Sequence, residues 1–246
     1  MYETVAHKYD LLHSDKDYEK ESIMIKRYVD DHDEYSKIET ILDVGCGTCN
    51  HLEYLLDSNV SYAVGIDVSQ SMIDEAKRKK IENLTLLCGD VKDLSLDIRF
   101  DLCVSIFNII NHVSTFNELS EFFAAIKTNL KEGGFFIFDC INAIAAFADP
   151  PSDRKILKKT HDGTLVEVKS TVETNFMNSE YVLKNELIID ENQSFTYELR
   201  QTLWTPKIIS SLLAHHGFDI LLLNKHFSLD AATDTDYKIC FMARKR

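Results

Sequence analysis

LDVGCGTCNHL, residues 42–52, joins a short strand to a helix and decides how the rest of the chain is read. The strand begins at Thr40 and is apolar until it meets glycine, and Leu52, Leu55 and Leu56 then recur at helical spacing. Gly45 and Gly47 allow a tight turn whose backbone N–H groups, with the helix N-terminus behind them, can approach a ligand closely. Twenty residues after Gly47, Asp67 ends a second strand, YAVGID (62–67), where its carboxylate can accept hydrogen bonds from both hydroxyls of a ribose. This much fits any adenosine-containing cofactor. A dinucleotide fingerprint would need a third glycine where Asn50 stands, and the GxxxxGK string of a phosphate-binding loop does not occur. Asp43, two residues before Gly45, would repel a pyrophosphate and attract the ammonium of an amino acid. After a third strand, LTLLCGD (84–90), Asp90 can reach an adenine amino group with Val91 against the ring.

Working outward, FDLCVSIF (100–107) and FFIFDC (135–140) read as a fourth and a fifth buried strand. Between the strands lie amphipathic helices, one capped by Ser69 and carrying Met72, Ile73 and Ala76, another with Leu119, Phe122, Phe123, Ile126 and Leu130 on one face. Strands apolar on both faces and separated by helices predict a parallel sheet covered on two sides. From Ile141 to Leu203 the helical period gives way to β-rich runs, GTLVEVKSTVET, YVLKNELIID and SFTYELRQTLW, the last two separated by a turn at Glu191, Asn192 and Gln193. A helix returns with Thr205 as cap, Pro206 in its first position and Gly217 past its end. Two last strands, FDILLLNKHF (218–227) and DYKICFMA (236–243), can pair as a hairpin at the sheet edge. The expectation is an α/β protein with a Rossmann-like, doubly wound, seven-stranded sheet, an antiparallel last hairpin and an inserted antiparallel β lid. Residues 1–36 are expected to form a helical lid, 37–140 with 204–246 the core, and 141–203 the insert.

The composition bounds the function. At 246 residues, 45% hydrophobic and 27% charged, the chain can bury a full core, and a net charge of −13 with no basic block excludes an electrostatic footprint for nucleic acid. No apolar run approaches the ~18 residues of a membrane span, and MYETVAHKYDLLHSD lacks a basic region followed by an apolar stretch. Six cysteines sit mostly in strand-like apolar segments, which suits a reducing, cytoplasmic setting. Cys46 and Cys49 form a CxxC, but no proline lies between Cys49 and Asp149 to face a redox dithiol, and no second ligand pair completes a metal site.

DVGCGTC, GID, GDV and the late helix with its hairpin resemble the class I S-adenosylmethionine-dependent methyltransferases over roughly Lys37 to Arg246. The family loop reads D/E-x-G-x-G-x-G, so this chain keeps Asp43, Gly45 and Gly47 and carries Cys49 at the third glycine. The resemblance implies S-adenosyl-L-methionine as cofactor and S-adenosyl-L-homocysteine as product. It further implies Asp43 near the methionine ammonium, Gly45 and Gly47 under the methionyl chain, Asp67 on the ribose, and Asp90 with Val91 at the adenine. YETVAHKYDLLHSDKDYEKE (2–21) and YELRQTLWTP (197–206) are similar to small-molecule methyltransferases that act on the amino group of nucleotide-linked sugars. That similarity implies Tyr9 and Tyr18 folded over the cofactor, and it places His13 where those enzymes carry a tyrosine near the transferred methyl.

Methyl transfer from a sulfonium is an in-line displacement that needs alignment and dryness rather than a protein nucleophile. A hydroxyl or protonated amine acceptor benefits from a general base, for which His112, just beyond the fourth strand, and His13 are the candidates. Arg200 and Trp204, at the end of the insert, are expected to meet an anionic or ring-bearing acceptor. NPPY-like strings of nucleic-acid amino-methyltransferases are absent, since SIFNII stands after the fourth strand. The expected partner is therefore a small polar acceptor, plausibly a nucleotide-activated sugar methylated on N or O, with no nucleic acid, membrane or metal, in a monomer or homodimer. The alternative is a non-catalytic module that binds the cofactor or activates a partner methyltransferase.

Overall fold

A computed structural model describes residues 6, 9–10, 13–33, 37–57, 59–159, 163–190 and 193–246. Five strands, β1 (Thr40–Val44), β2 (Tyr62–Asp67), β3 (Leu84–Cys88), β4 (Phe100–Ser105) and β5 (Leu130–Ile141), pair in parallel, and β10 (Phe218–Lys225) and β11 (Lys238–Lys245) add antiparallel at one edge. The spatial order is β10-β11-β5-β4-β1-β2-β3. Every residue of β1 is buried, because aliphatic side chains on both faces suit a strand with helices above and below. The order reverses between β1 and β4, so the carboxyl ends of these two neighbours diverge into a crevice, the usual ligand position of such sheets.

One face is covered by α1 (Tyr18–His32), α2 (Asn50–Leu55) and α3 (Gln70–Arg78), which bury Ile25, Tyr28, Leu52, Leu55, Ile73 and Ala76. The other is covered by α4 (Phe116–Asn129) and α6 (Pro206–His215), where Phe123, Ile126, Leu212 and Leu213 meet Phe136 and Phe138. Phe138 stacks on Phe241 with ring centroids 5.0 Å apart, fastening β5 to the terminal hairpin. The capping signals read from sequence are formed: Ser69 Oγ accepts from Met72 N–H and Thr205 Oγ1 from Ile208 N–H, with Pro206 opening the helix.

The insert is a separate antiparallel sheet, β6-β7-β8-β9, formed by Arg154–Lys159, Leu165–Asn175, Glu180–Ile189 and Gln193–Thr202. Its first strand was not evident in the sequence, and a short helix, α5 (Ala143–Ala148), precedes it with Asn142 as cap. Six residues are too few to display a helical period. Of the expected turn, Glu191 and Asn192 lie outside the described residues, and Gln193 opens β9. Most of residues 1–12 of the expected lid likewise lies outside them. The insert meets the core through Ile141, Ala143, Ala146, Tyr181, Leu183 and Leu203.

Candidate cofactor cleft and acceptor cavity

The turn after β1 is set by backbone bonds: the N–H groups of Gly45 and Cys46 both donate to Ile66 O, at 2.8 and 3.1 Å. Gly45 has φ +76°, and a Cβ there would stand 2.5 Å from Ile109 Cδ1. Gly47 has φ +53° and a Cβ would meet nothing within 4 Å, so its missing side chain leaves open cleft. Cys49, at the family's third glycine, is in the left-handed region at φ +65° and fully buried among α2 neighbours. Asp67 binds the loop with both oxygens, Oδ2 accepting Gly47 N–H and Oδ1 accepting Ser69 N–H, each at 2.9 Å.

The cleft is walled by Tyr9, Tyr18, Gly45, Gly47, Asp67 and Phe107, and Asn50, His51, Met72 and Ile109 complete it. It encloses about 50 Å³. Tethers hold the segment that carries the two tyrosines: Asp10 Oδ1 accepts Thr48 Oγ1–H at 2.6 Å and Asn50 Nδ2–H at 2.8 Å, and His51 Nε2 lies 2.7 Å from Glu21 Oε2. Glu21 is also paired with Lys16. Burial drives the Tyr18 phenol upward; its hydroxyl faces Asn50 yet has no well-formed bond among the described residues.

Asp43 lies behind the cleft wall rather than on it, fully enclosed under the loop. Burial, and then the nearby negative charge of Asp67, push its carboxyl up to about 8. Among the described residues no cation is paired with this buried acid, which would gain from one. Asp90 caps a one-turn helix, Val91–Asp93, by accepting Lys92 N–H at 2.9 Å, and pairs with Lys92 Nζ at 3.4 Å. Val91 is buried in the core, and neither residue lines the cleft. The chemistry of the wall suits S-adenosylmethionine. Asp67 presents its carboxylate to the cleft, Gly47 leaves its space free, and a buried carboxyl lies behind the wall.

A second, larger cavity of about 570 Å³ opens where the insert faces the carboxyl ends of the sheet, a size proper to a small-molecule site. Tyr9 and Phe107 border both spaces. From the core side come His13, Asn108 and Lys238, and from the insert Arg154, Tyr181, Tyr197 and Gln201. His13 packs tilted against Tyr9 and edge-on against Phe107, with centroids at 4.6 and 4.9 Å, so it stands at the boundary of cleft and cavity. Lys16 and Lys238 place their ammoniums 4.8 and 5.2 Å from the Phe107 ring. Neither Arg154 nor Lys238 has a carboxylate within ion-pair distance among the described residues.

Three expected acceptor-side residues are elsewhere. Arg200 lies on the opposite face of β9, paired with Glu180 at 3.2 Å and Glu198 at 3.3 Å. Side chains alternate along a strand, so Tyr197, Leu199 and Gln201 take the cavity side and Arg200 cannot. Trp204 is buried in the core with α6, an anchor for the end of the insert. His112 ends a one-turn helix, Ile109–His112, with its ring near the backbone of Arg200; burial lowers its pKa more than that neighbour raises it. It borders neither space. The sequence reading passed over Arg154, Lys238, Phe107, Asn108 and Asp139. Asp139 alone carried a signal, a carboxylate inside FFIFDC, and a charge in a buried strand demands partners.

Residues 41–134 match the family model described as a methyltransferase domain. The chain is 32% identical over 142 residues to dTDP-3-amino-3,4,6-trideoxy-alpha-D-glucopyranose N,N-dimethyltransferase of Streptomyces venezuelae, covering 56% of this chain and 58% of that one. It is 36% identical over 117 residues to dTDP-3-amino-3,6-dideoxy-alpha-D-glucopyranose N,N-dimethyltransferase of Streptomyces fradiae, covering 47% and 44%. The chain thus aligns with about half the length of these curated relatives. In fold it follows a S-adenosylmethionine-dependent methyltransferase of Clostridium acetobutylicum ATCC 824, with a TM-score of 0.82 at 24% identity over 99% of this chain and 98% of that one. Residues 41–134 thus carry the match to a methyltransferase domain, and the Rossmann-like sheet with its separate antiparallel insert has the fold of that solved methyltransferase. No described helix is long and apolar enough to cross a membrane.

Proposed function

We propose that this protein transfers a methyl group from S-adenosylmethionine to the amino nitrogen of a small anionic acceptor, a nucleotide-linked amino sugar. The observation that carries the reading is the cavity with two cations that have no carboxylate partner among the described residues. In a chain of net charge −13, Arg154 and Lys238 line the space next to the cofactor cleft. Cations held this way suit a phosphate-bearing ligand. Tyr181, Tyr197 and Tyr237 offer ring faces and hydroxyls for a base or sugar. Both dTDP-amino-sugar relatives are named for that chemistry on their own substrates.

When bound, S-adenosylmethionine supplies an electrophilic methyl on a sulfonium. In the proposed arrangement Asp67 holds the ribose, Asp43 attracts the ammonium through the loop, and Gly45 and Gly47 admit the methionyl chain. Tyr9 and Tyr18, within the lid assigned to residues 1–36, close over the ligand and exclude water. Residues 141–203 roof the acceptor. His13, at the junction of the two spaces, is the histidine placed to take a proton from the acceptor, whereas His112 braces β9. Alignment and desolvation of an amine lone pair are sufficient for an in-line transfer.

The test is a mass-spectrometric screen of dTDP-linked 3-amino sugars with S-adenosylmethionine. Transfer to one or more is expected. Binding of S-adenosylhomocysteine with no transfer to any would overturn the reading in favour of a cofactor-binding module. Arg154→Ala should raise KM for the active acceptor about tenfold, the scale of one charge-assisted hydrogen bond, and leave S-adenosylhomocysteine affinity unchanged by calorimetry. An unchanged KM would remove Arg154 from the acceptor site.

A further inference from the structure

Two asparagines follow β4 in the string FNIINH, and they are treated differently. Asn111 is fully buried with both amide atoms bonded: its Nδ2 donates to Thr202 O at 2.7 Å, and its Oδ1 accepts Ile141 N–H at 3.0 Å. That amide ties the insert to the core. Asn108 is only 6% exposed, and its Oδ1 is buried with no hydrogen-bond partner among the described residues. Buried acceptors are nearly always paired, and an orphan in a folded protein calls for a reason. Asn108 borders the acceptor cavity beside Phe107, the ring that also walls the cofactor cleft.

The backbone around it is built to hold that carboxamide in place. Phe107 and Asn108 both have positive φ, +79° and +59°, a conformation that costs a phenylalanine energy and persists only where neighbours enforce it. Enforcement comes from Asp139, fully buried on β5, whose Oδ1 accepts Asn108 N–H at 2.8 Å. The other oxygen of Asp139 is engaged by His226 Nε2 at 3.0 Å.

We propose that Asn108 Oδ1 accepts a hydrogen from the nucleophile and so aims its lone pair at the transferable methyl. The inference rests on the methyltransferase reading and adds to it the residue that orients the attacking atom. In the step it serves, the acceptor nitrogen forms a C–N bond as the C–S bond breaks. The electron pair returns to sulfur, leaving a neutral thioether, and the surplus proton on nitrogen departs to His13 and from there to water. Asn108 carries no proton in this scheme. Its contribution is direction.

A test independent of the acceptor uses sinefungin, the cofactor analogue with an amine where the sulfonium methyl stands. Its ammonium would lie within reach of Asn108 Oδ1, whereas S-adenosylhomocysteine offers nothing there. Calorimetry on the wild type is expected to show tighter binding of sinefungin than of S-adenosylhomocysteine. Asn108→Ala should reduce that affinity ratio about tenfold, as loss of one hydrogen bond to a charged donor does, and Asn108→Asp should retain it. A wild type without the preference, a ratio unchanged in Asn108→Ala, or an equal loss for both ligands would overturn the proposal. The same variants are run with dTDP-3-amino-3,6-dideoxyglucose. A wild type inert toward all amino-sugar nucleotides, with a ratio that still depends on Asn108, would remove the proposed acceptor and uphold the orienting role.

Discussion

Asp67→Ala is expected to weaken S-adenosylhomocysteine binding at least about 100-fold, since hydrogen bonds to a charged acceptor are worth roughly 1.5–3 kcal/mol each and two are assigned to the ribose. A second effect adds to this. The carboxylate also fixes the loop from beneath, through Gly47 N–H and Ser69 N–H, and its removal leaves two backbone donors without their partner. The loop that must fit the ligand then loses its preorganisation. Asp67→Asn separates the two contributions, because one amide oxygen can still accept from the backbone while the charge is gone. Calorimetry should rank wild type above Asn above Ala, with thermal unfolding lowered most in Ala. A change below about threefold in the alanine variant would take Asp67 out of the cofactor site.

The cleft was legible in sequence because each of its parts answers to a local rule. A glycine with positive φ must end β1 if the turn is to be tight, and an acid at the end of β2 stands where it can hold that turn and face a ligand. Gly45, Gly47 and Asp67 therefore announced themselves. The terminal helix was legible for the same reason, since Thr205 and Pro206 specify a start without help from tertiary contacts. The acceptor side follows no such rule. In β9 every second residue faces the cavity, and which set it is depends on the register with β8, where Arg200 opposes Val182 and Gln201 opposes Tyr181. Arg200 looked like the ligand residue from its type, and the pleat turned it outward.

Arg154 was hidden for another reason. It sits in DPPSDRK, where no period reveals a strand, and only pairing with β7 brings it to the cavity mouth. The Phe107–Asn108 turn was equally silent, because nothing in FNII requires two left-handed residues in succession. Its conformation is imposed from a distance by Asp139, 31 residues further on. Local chemistry thus marks the candidate cofactor cleft, and long-range pairing shapes the candidate acceptor cavity.

Asp43 yields the other large effect, visible as a pH dependence. Its carboxyl is raised to about 8, first by burial and then by Asp67, so at pH 7 it is mostly protonated in the ligand-free protein. An ammonium brought near would favour the carboxylate, and the proton would leave as the ligand binds. Affinity for S-adenosylhomocysteine should therefore rise with pH from 6 to about 8 and then level off with respect to this group. Calorimetry at pH 7 in buffers of different ionisation heat should register proton release, and its absence would contradict the assignment. Stability runs the other way. A carboxyl whose folded pKa lies above its unfolded value contributes most below the unfolded value, near ~3.9, and that contribution is lost as pH rises through about 8. Asp43→Asn is neutral at every pH and should flatten that part of the decline, raising the melting temperature of the ligand-free protein above pH 8. It should also weaken cofactor binding about 30-fold or more, because a buried carboxylate facing an ammonium is replaced by a neutral amide. A variant that becomes both more stable at high pH and worse at binding would identify Asp43 as an acid kept at the expense of the empty fold for the cation it meets.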